Sequence, residues 1–397
     1  MRKVLLLLLA LCMLVSLFGC RAPSNNSTND TGASTTTPNT PSTPSIPQAD
    51  LISVAVPVIT ETTKADDGTT LFSYTYQNMH LTMPEADIAD KIIVDFLNRI
   101  DKTRSAAESL SNAAKAAYTP GKIWNQYQYQ ITYSPTRIDY NVLSMFGSNT
   151  SYNGASHPEA INVSVNYDLV SGNVLTLGNI LTETATVDAL YACVIDSLRT
   201  QEKDKFLYIG YEDAVKSRFS IHFSDDTAWY FSQNGLCFYF SPYEIAPYSS
   251  GVVIAEVPYS KLSGILNDAY FPPEREAHEG IVSLLHATEA NLEKFTQFSE
   301  LILDEKADSF LLYTDTAVYD VVIETATYSS IKSEYEPQHT VFACGSLTPG
   351  DAIHIQAATS VDSDILILTY RSGTSVFSSH IFKDPNGNLQ LIADMDS

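Results

Sequence analysis

The sequence predicts an α+β protein, with antiparallel sheets and packed helices followed by a small, mainly-β C-terminal domain. Three observations carry this expectation. Short runs with two-residue alternation recur from Val54 to Tyr370, two stretches around residues 88–100 and 187–198 have helical apolar spacing, and strand signals dominate beyond Pro272-Pro273. With 397 residues, 44% of them apolar, the chain exceeds what one hydrophobic core normally serves and implies several folded units.

The N-terminus reads as an export address. Met1-Arg2-Lys3 is cationic, and residues 4–18 are apolar except for Ser16. That run is shorter than the roughly twenty residues a membrane span needs, so it reads as a secretory apolar region. Leu17-Phe18-Gly19-Cys20 resembles a bacterial lipobox, which makes residues 1–19 a lipoprotein signal peptide and Cys20 the lipidated mature N-terminus. Residues 20–50 are rich in Ser, Thr, Pro and Asn and have almost no large apolar group; they form a disordered tether to the membrane. The rest of the chain is then extracytoplasmic, anchored by its lipid.

Elements follow in order. Val54, Val56 and Val58 alternate, Asp66-Asp67-Gly68 signals a turn, and residues 71–76 return as a strand. Ile88, Ile92, Ile93, Phe96, Leu97 and Ile100 make a core-facing helical stripe, which Ala106 to Tyr118 extends or restarts before Thr119-Pro120-Gly121. Tyr127, Tyr129, Ile131 and Tyr133 alternate with polar residues. A strand around residues 142–146 and another at 162–169 flank Tyr152-Asn153-Gly154-Ala155-Ser156-His157-Pro158, and Ser171-Gly172-Asn173 is a turn. A helix at 187–198, a shorter one at 211–219, and strands at 229–232, 236–240 and 252–257 complete this part. Pro272-Pro273 marks a boundary. Residues 284–298 suggest helical turns, and strands at 319–323, 353–355 and 365–370 with the Pro385-Asn386-Gly387 hairpin signal suggest a β-sandwich. The expected units are 51–150, 151–272 and 273–397.

Twenty-three basic against 46 acidic residues give a net charge of −23, which repels phosphate and excludes nucleic acid as a partner while favouring basic ones. Cys193, Cys237 and Cys344 lack paired short spacing, so a disulfide framework or structural zinc site is not expected, and buried thiols are. His157 beside Ser156, with Asp168 as orienting acid, suggests a nucleophile–base pair, but no nucleophile elbow accompanies it, and a turn histidine is the plainer reading. His278-Glu279 has Val282, not His, four residues after His278, and His286 is eight away, which departs from the zincin pattern. Asp66-Asp67 and Asp225-Asp226 lack the calcium-loop pattern. No catalytic set, metal site or cofactor is expected. Tyr243-Glu244 and Tyr248 sit between Pro242 and Pro247, a loop that either packs its rings beneath itself or offers them as contacts.

Taken together, Tyr152-x-Gly154-x-x-His157, the 162–169 strand, Ser171-Gly172-Asn173, Leu175-Thr176-Leu177, Gly235-Leu236, Phe238-Tyr239-Phe240, Ser241-Pro242-Tyr243-Glu244-Ile245-Ala246-Pro247-Tyr248, Gly251 and Val257-Pro258-Tyr259 resemble the RsiV-like extracytoplasmic module of lysozyme-sensing anti-sigma factors. The same module precedes the catalytic domain of the peptidoglycan deacetylase PdaC. The resemblance covers about residues 50–270. Here Asn153, Gly154, Ala155 and Ser156 spread the family's Gly-Gly-Ala-His turn by one residue, and neither a sigma-binding segment nor a deacetylase metal motif is recognisable. The resemblance implies a non-catalytic envelope binding module, with Tyr152, His157, Tyr243, Glu244 and Tyr248 as candidate contacts. A basic protein such as a lysozyme, or peptidoglycan, is the implied partner. The competing expectation is a glycan-modifying or hydrolytic envelope enzyme whose site is assembled from residues distant in sequence.

Overall fold

The computed structural model describes residues 51–222, 228–275, 279–332, 334–359 and 364–393. Cys20, the expected leader and tether, Asp225-Asp226 and His278 lie outside the described residues. The protein is α+β, and the described residues form one compact unit.

The described chain opens with strands β1 (Ser53–Ala55), β2 (Val58–Lys64), β3 (Thr70–Gln77) and β4 (His80–Thr82). The β2–β3 hairpin turns at Gly68, whose φ of 86° suits glycine. Asp67 supports that turn by accepting from the Thr69 amide and the Tyr118 hydroxyl. Helix α1 (Ala86–Ala117) follows as one unbroken element of 32 residues, about 48 Å long at 1.5 Å per residue. Ala89, Ile92, Phe96, Ile100, Ala107, Ser111 and Ala114 are its buried positions, spaced three, four or seven apart, so the expected stripe continues through the second half. Strands β5 (Tyr127–Ile138), β6 (Val142–Tyr152) and β7 (Glu159–Asp168) complete a five-stranded sheet in the order β2-β3-β5-β6-β7, antiparallel except for β3 beside β5. One face of this sheet packs on α1. The sheet runs straight across residue 150, because β6 pairs with both β5 and β7.

A short helix α2 (Leu177–Ile180) is closed by a reciprocal cap between Thr176 and Asn179. Helices α3 (Val187–Arg199) and α4 (Tyr211–His222) precede strands β8 (Trp229–Phe231), β9 (Gly235–Phe240) and β10 (Val253–Pro258). These make a three-stranded antiparallel sheet, whose core unites Leu190, Val194 and Leu198 of α3 with Phe231, Leu236 and Val257. Arg137, near the end of β5, ties this part to the five-stranded sheet. It is 1% exposed, its Nε and Nη2 lie 2.7 and 2.6 Å from Asp139 Oδ2, and Nη1 donates to the Tyr259 hydroxyl and the Tyr270 carbonyl, both at 2.7 Å. The guanidinium also faces the Phe231 ring at 5.1 Å.

Beyond the prolines come β11 (Val282–His286), a single turn α5 (Glu289–Leu292), β12 (Gln297–Ile302), β13 (Ser309–Thr314), β14 (Val318–Ser329), β15 (Glu334–Leu347), β16 (Asp351–Gln356), β17 (Asp364–Ser372), β18 (Ser375–Lys383) and β19 (Leu389–Ala393). The helical turns expected over 284–298 shrink to α5. Leu284 and Leu285 instead pair with Leu312 and Leu311, since cross-strand burial outweighs the local helical spacing. A four-stranded sheet, β11-β13-β16-β12, packs on a seven-stranded one, β19-β18-β17-β14-β15-β1-β4. The sandwich therefore recruits the start of the described chain: β1 pairs with residues 342–344 of β15 on one side and with β4 on the other. Alternation explains how one strand serves two cores. Ile52, Val54 and Val56 enter the core under α1, while Leu51 and Ala55 enter the sandwich core. Asp320, at φ 52°, is chelated by Arg275 and also meets Arg371 at 3.2 Å, fixing the segment after Pro273 to β14 and β17. No helix among the described residues is long and apolar enough to cross a membrane.

Candidate functional site

Two loops carry the sequence-predicted residues to one place. The β6–β7 connection turns at Gly154 (φ 82°), where a Cβ would come within 3.1 Å of the Tyr127 ring. Its outer end presents His157, exposed, with Nδ1 3.2 Å from the Pro158 carbonyl oxygen. The second loop spans residues 241–251 after β9. Ile245 and Ala246 plunge into the core and pin it, so the residues on either side are pushed outward. Tyr243 emerges at φ 70°, in the left-handed region that a bulky side chain seldom occupies, and is 69% exposed. Tyr248 opens a single 3₁₀ turn that ends at Gly251. Its ring lies between the other two: 5.5 Å from His157 at 39° and 5.6 Å from Tyr243 at 31°. Three rings from two loops thus form one exposed row.

Glu244 has a different place. One carboxylate oxygen accepts from Arg218 Nη1 at 2.6 Å and the other from the Ser241 amide at 2.9 Å. Arg218, on α4, also donates to the Tyr239 carbonyl and covers the Phe240 ring at 5.2 Å. Glu244 therefore holds the loop that displays Tyr243. Tyr152 closes β6 opposite Gln128 and is half-buried, on the sheet and not in the row of rings.

The sequence reading missed a neighbouring group. Between α3 and α4, Phe206, Tyr208 and Ile209 are exposed, and Phe206 adopts φ 51° at 68% exposure. Two hydrogen bonds fasten this segment to the tyrosine loop: the Tyr208 amide to the Ile245 carbonyl at 2.9 Å, and Ser250 Oγ to the Lys205 carbonyl at 2.6 Å. Of the three non-glycine residues with positive φ among those described, two are aromatic, exposed and on these joined loops. A signal existed in Phe206-Leu207-Tyr208-Ile209-Gly210, an apolar run too short for a helix that ends in glycine.

The catalytic expectations do not assemble. His157 precedes β7 and Asp168 ends it, roughly 30 Å apart along an extended strand. Asp168 accepts instead from the Val170 amide and the Ser171 hydroxyl in its own turn. Cys237 and Cys344 are buried, with burial pushing each thiol up to about 12, and Cys193 is half-buried with its thiol also raised by burial. Among the described residues, no three His, Cys, Asp or Glu side chains converge as metal ligands.

Residues 179–260 match the profile of a protein family of unknown function, DUF3298. That stretch holds α3, α4, the three-stranded sheet and both loops that carry Phe206 and Tyr243. The chain is similar to a DUF3298 member from Bacteroides fragilis, with 18% identity, 55% of this chain and 94% of that one covered, and a TM-score of 0.41. A DUF3298 protein from Pseudomonas aeruginosa is similar at 16% identity, over 56% of this chain and 97% of that one, with a TM-score of 0.35. Comparison with curated proteins gives no match.

Proposed function

We propose that this chain is a non-catalytic binding module of the bacterial cell envelope, exported, held at the membrane by a lipid on Cys20, and docking a basic protein through the surface built from His157, Tyr243, Tyr248, Phe206 and Ile209. The observation that carries the reading is the row of exposed rings on loops clamped from beneath. Rigid aromatic side chains give contact area at low entropic cost, and such rings are enriched at the centres of interfaces. Positive φ at Phe206 and Tyr243 turns both rings outward on loops fixed by backbone hydrogen bonds, which suits a surface held ready for a ligand. Charge argues for the class of partner. The net charge is −23, and residues 201–213 beside the rings contain Glu202, Asp204, Glu212 and Asp213 against Lys203 and Lys205. An acidic surround accelerates encounter with a basic protein and disfavours an acidic one. The RsiV-like motif order supports a lysozyme-like partner.

The test is binding of lysozyme and of purified peptidoglycan to the purified protein at low and moderate salt. Saturable lysozyme binding that weakens with salt supports the reading. Retention on peptidoglycan alone would transfer the rings to a glycan role, and binding to neither would remove the proposal.

A further inference from the structure

We propose that the open end of the C-terminal sandwich holds a second, independent site, for a small ligand bearing a protonated amine. A cleft of about 430 Å³ opens there among the loop after β12, the facing ends of β14, β15 and β17, and the segment following β16. This is within the size range of small-molecule sites, about 300–1,000 Å³. It lies in a different part of the fold from the aromatic row and uses none of its residues.

The chemistry of the walls selects the ligand. Asp304 and Asp364 line the cleft, and among the described residues neither lysine nor arginine does. The Thr327 hydroxyl donates its proton to Asp364 Oδ1 at 2.9 Å, and the Thr325 hydroxyl donates to the His339 carbonyl at 3.4 Å. Both oxygens therefore face a ligand as acceptors only. Thr359, also in the wall, is 8% exposed, and its Oγ1 is buried without a hydrogen-bond partner among the described residues. Buried hydroxyls are nearly always paired, so an orphan beside a cleft marks a place where a partner is expected. His339 is half-buried, and burial holds its imidazole below the ordinary value, so it adds no positive charge near neutral pH. Leu303, Ile365 and Leu366 supply the apolar part of the lining. Two carboxylates and the acceptor oxygens of Thr325 and Thr327, with no lysine or arginine among the described lining residues and the Gln338 amide donating to the Glu336 carbonyl, disfavour anions and complement a donor-rich cation.

Amino sugars and short polyamines share that chemistry, and their sources differ, so the probes include both. Glucosamine and putrescine are titrated into the full protein by calorimetry, with glucose as the neutral control and glucuronate as the anionic one, while the His339 ring resonances report the location. The expected result is saturable binding of at least one amine in the range of about 0.1–10 mM, with His339 shifts and at least about tenfold weaker binding of both controls. Asp364→Asn should weaken the amine about fivefold or more at unchanged melting temperature, and Asp304→Asn is the second variant should the first disturb the fold. Glucosamine without putrescine would identify a sugar-shaped site, and the reverse a linear amine site; either supports the proposal. Saturation by neither amine up to about 50 mM, glucuronate binding as well as the amines, or full affinity in both folded variants would overturn it.

Discussion

Arg137→Ala removes a buried cation that, alongside the Thr136, Ser144 and Asn166 hydrogen bonds to β8, ties the five-stranded sheet to the three-stranded sheet and the segment after it. The ion pair with Asp139 is almost wholly buried, with side-chain exposures of 1% and 4%, so solvent screening does not dilute it. The substitution also deletes hydrogen bonds to the Tyr259 hydroxyl and the Tyr270 carbonyl and uncovers the Phe231 ring. Asp139 keeps the Asn141 and Val142 amides on Oδ1 but loses its countercharge on Oδ2. Breaking one side of a buried pair costs about 3–5 kcal/mol. For a cooperative unit of this size that corresponds to a fall in melting temperature of roughly 5–10 °C. Differential scanning calorimetry and urea unfolding measure it. Arg137→Met fills much of the volume and should still lose most of this stability, because the uncompensated Asp139 carboxylate is the larger penalty. Adding Asp139→Asn to Arg137→Met should recover part of it. A shift of less than about 2 °C in Arg137→Ala, or no recovery in the double variant, would refute the assignment of Arg137 as the electrostatic tie.

Three further outcomes follow from the geometry. Gly147→Ala places a Cβ 1.8 Å from the Thr132 carbonyl oxygen across the β5–β6 pair, so it should destabilise by about 2–3 kcal/mol in urea unfolding, and a neutral result would contradict the register of that pair. Of Cys193, Cys237 and Cys344, only the half-buried Cys193 should react with a maleimide at neutral pH, as peptide mass mapping would read, because the other two thiols are buried and held near 12. Burial lowers the folded pKa of His339 from its ordinary 6.5, so the unfolded chain binds more protons below that value. Stability from this group is present above about pH 6.5 and is lost as pH falls through it toward the folded value. Melting curves from pH 8 to 5 should therefore fall less steeply for His339→Asn than for the natural chain.

The elements were legible where one face of a segment meets one core. Helix α1, helix α3 and the alternating tyrosines of β5 each keep a single period, and the structure uses it. Residues 51–56 show why legibility ends. Their alternation was readable, but both faces are buried, in cores whose other walls come from residues 71–169 with Ala343 and from residues 282–381. No local pattern specifies that β1 will pair with residues 342–344. The 284–298 segment misled for a related reason, since its leucines satisfy helical spacing locally and strand pairing globally. At the candidate site, chemistry-bearing residues could be named from loop composition, yet their convergence depends on how far Ile245 and Ala246 sink. Glu244, by sequence a contact residue, is consumed by Arg218 from an element 26 residues away. The short apolar run from Phe206 to Gly210 marks a loop in the sequence, but the outward direction of the Phe206 ring follows from its positive φ, which composition does not encode.

The binding account is tested most directly by Tyr243→Ala/Tyr248→Ala. The natural chain and the double variant are titrated with lysozyme at low and moderate salt, alongside a melting curve for each. Both rings are exposed, Tyr243 more than Tyr248, so the account predicts an unchanged melting temperature and a Kd raised at least about tenfold, with salt weakening what binding persists. Equal affinity in the two proteins would contradict it.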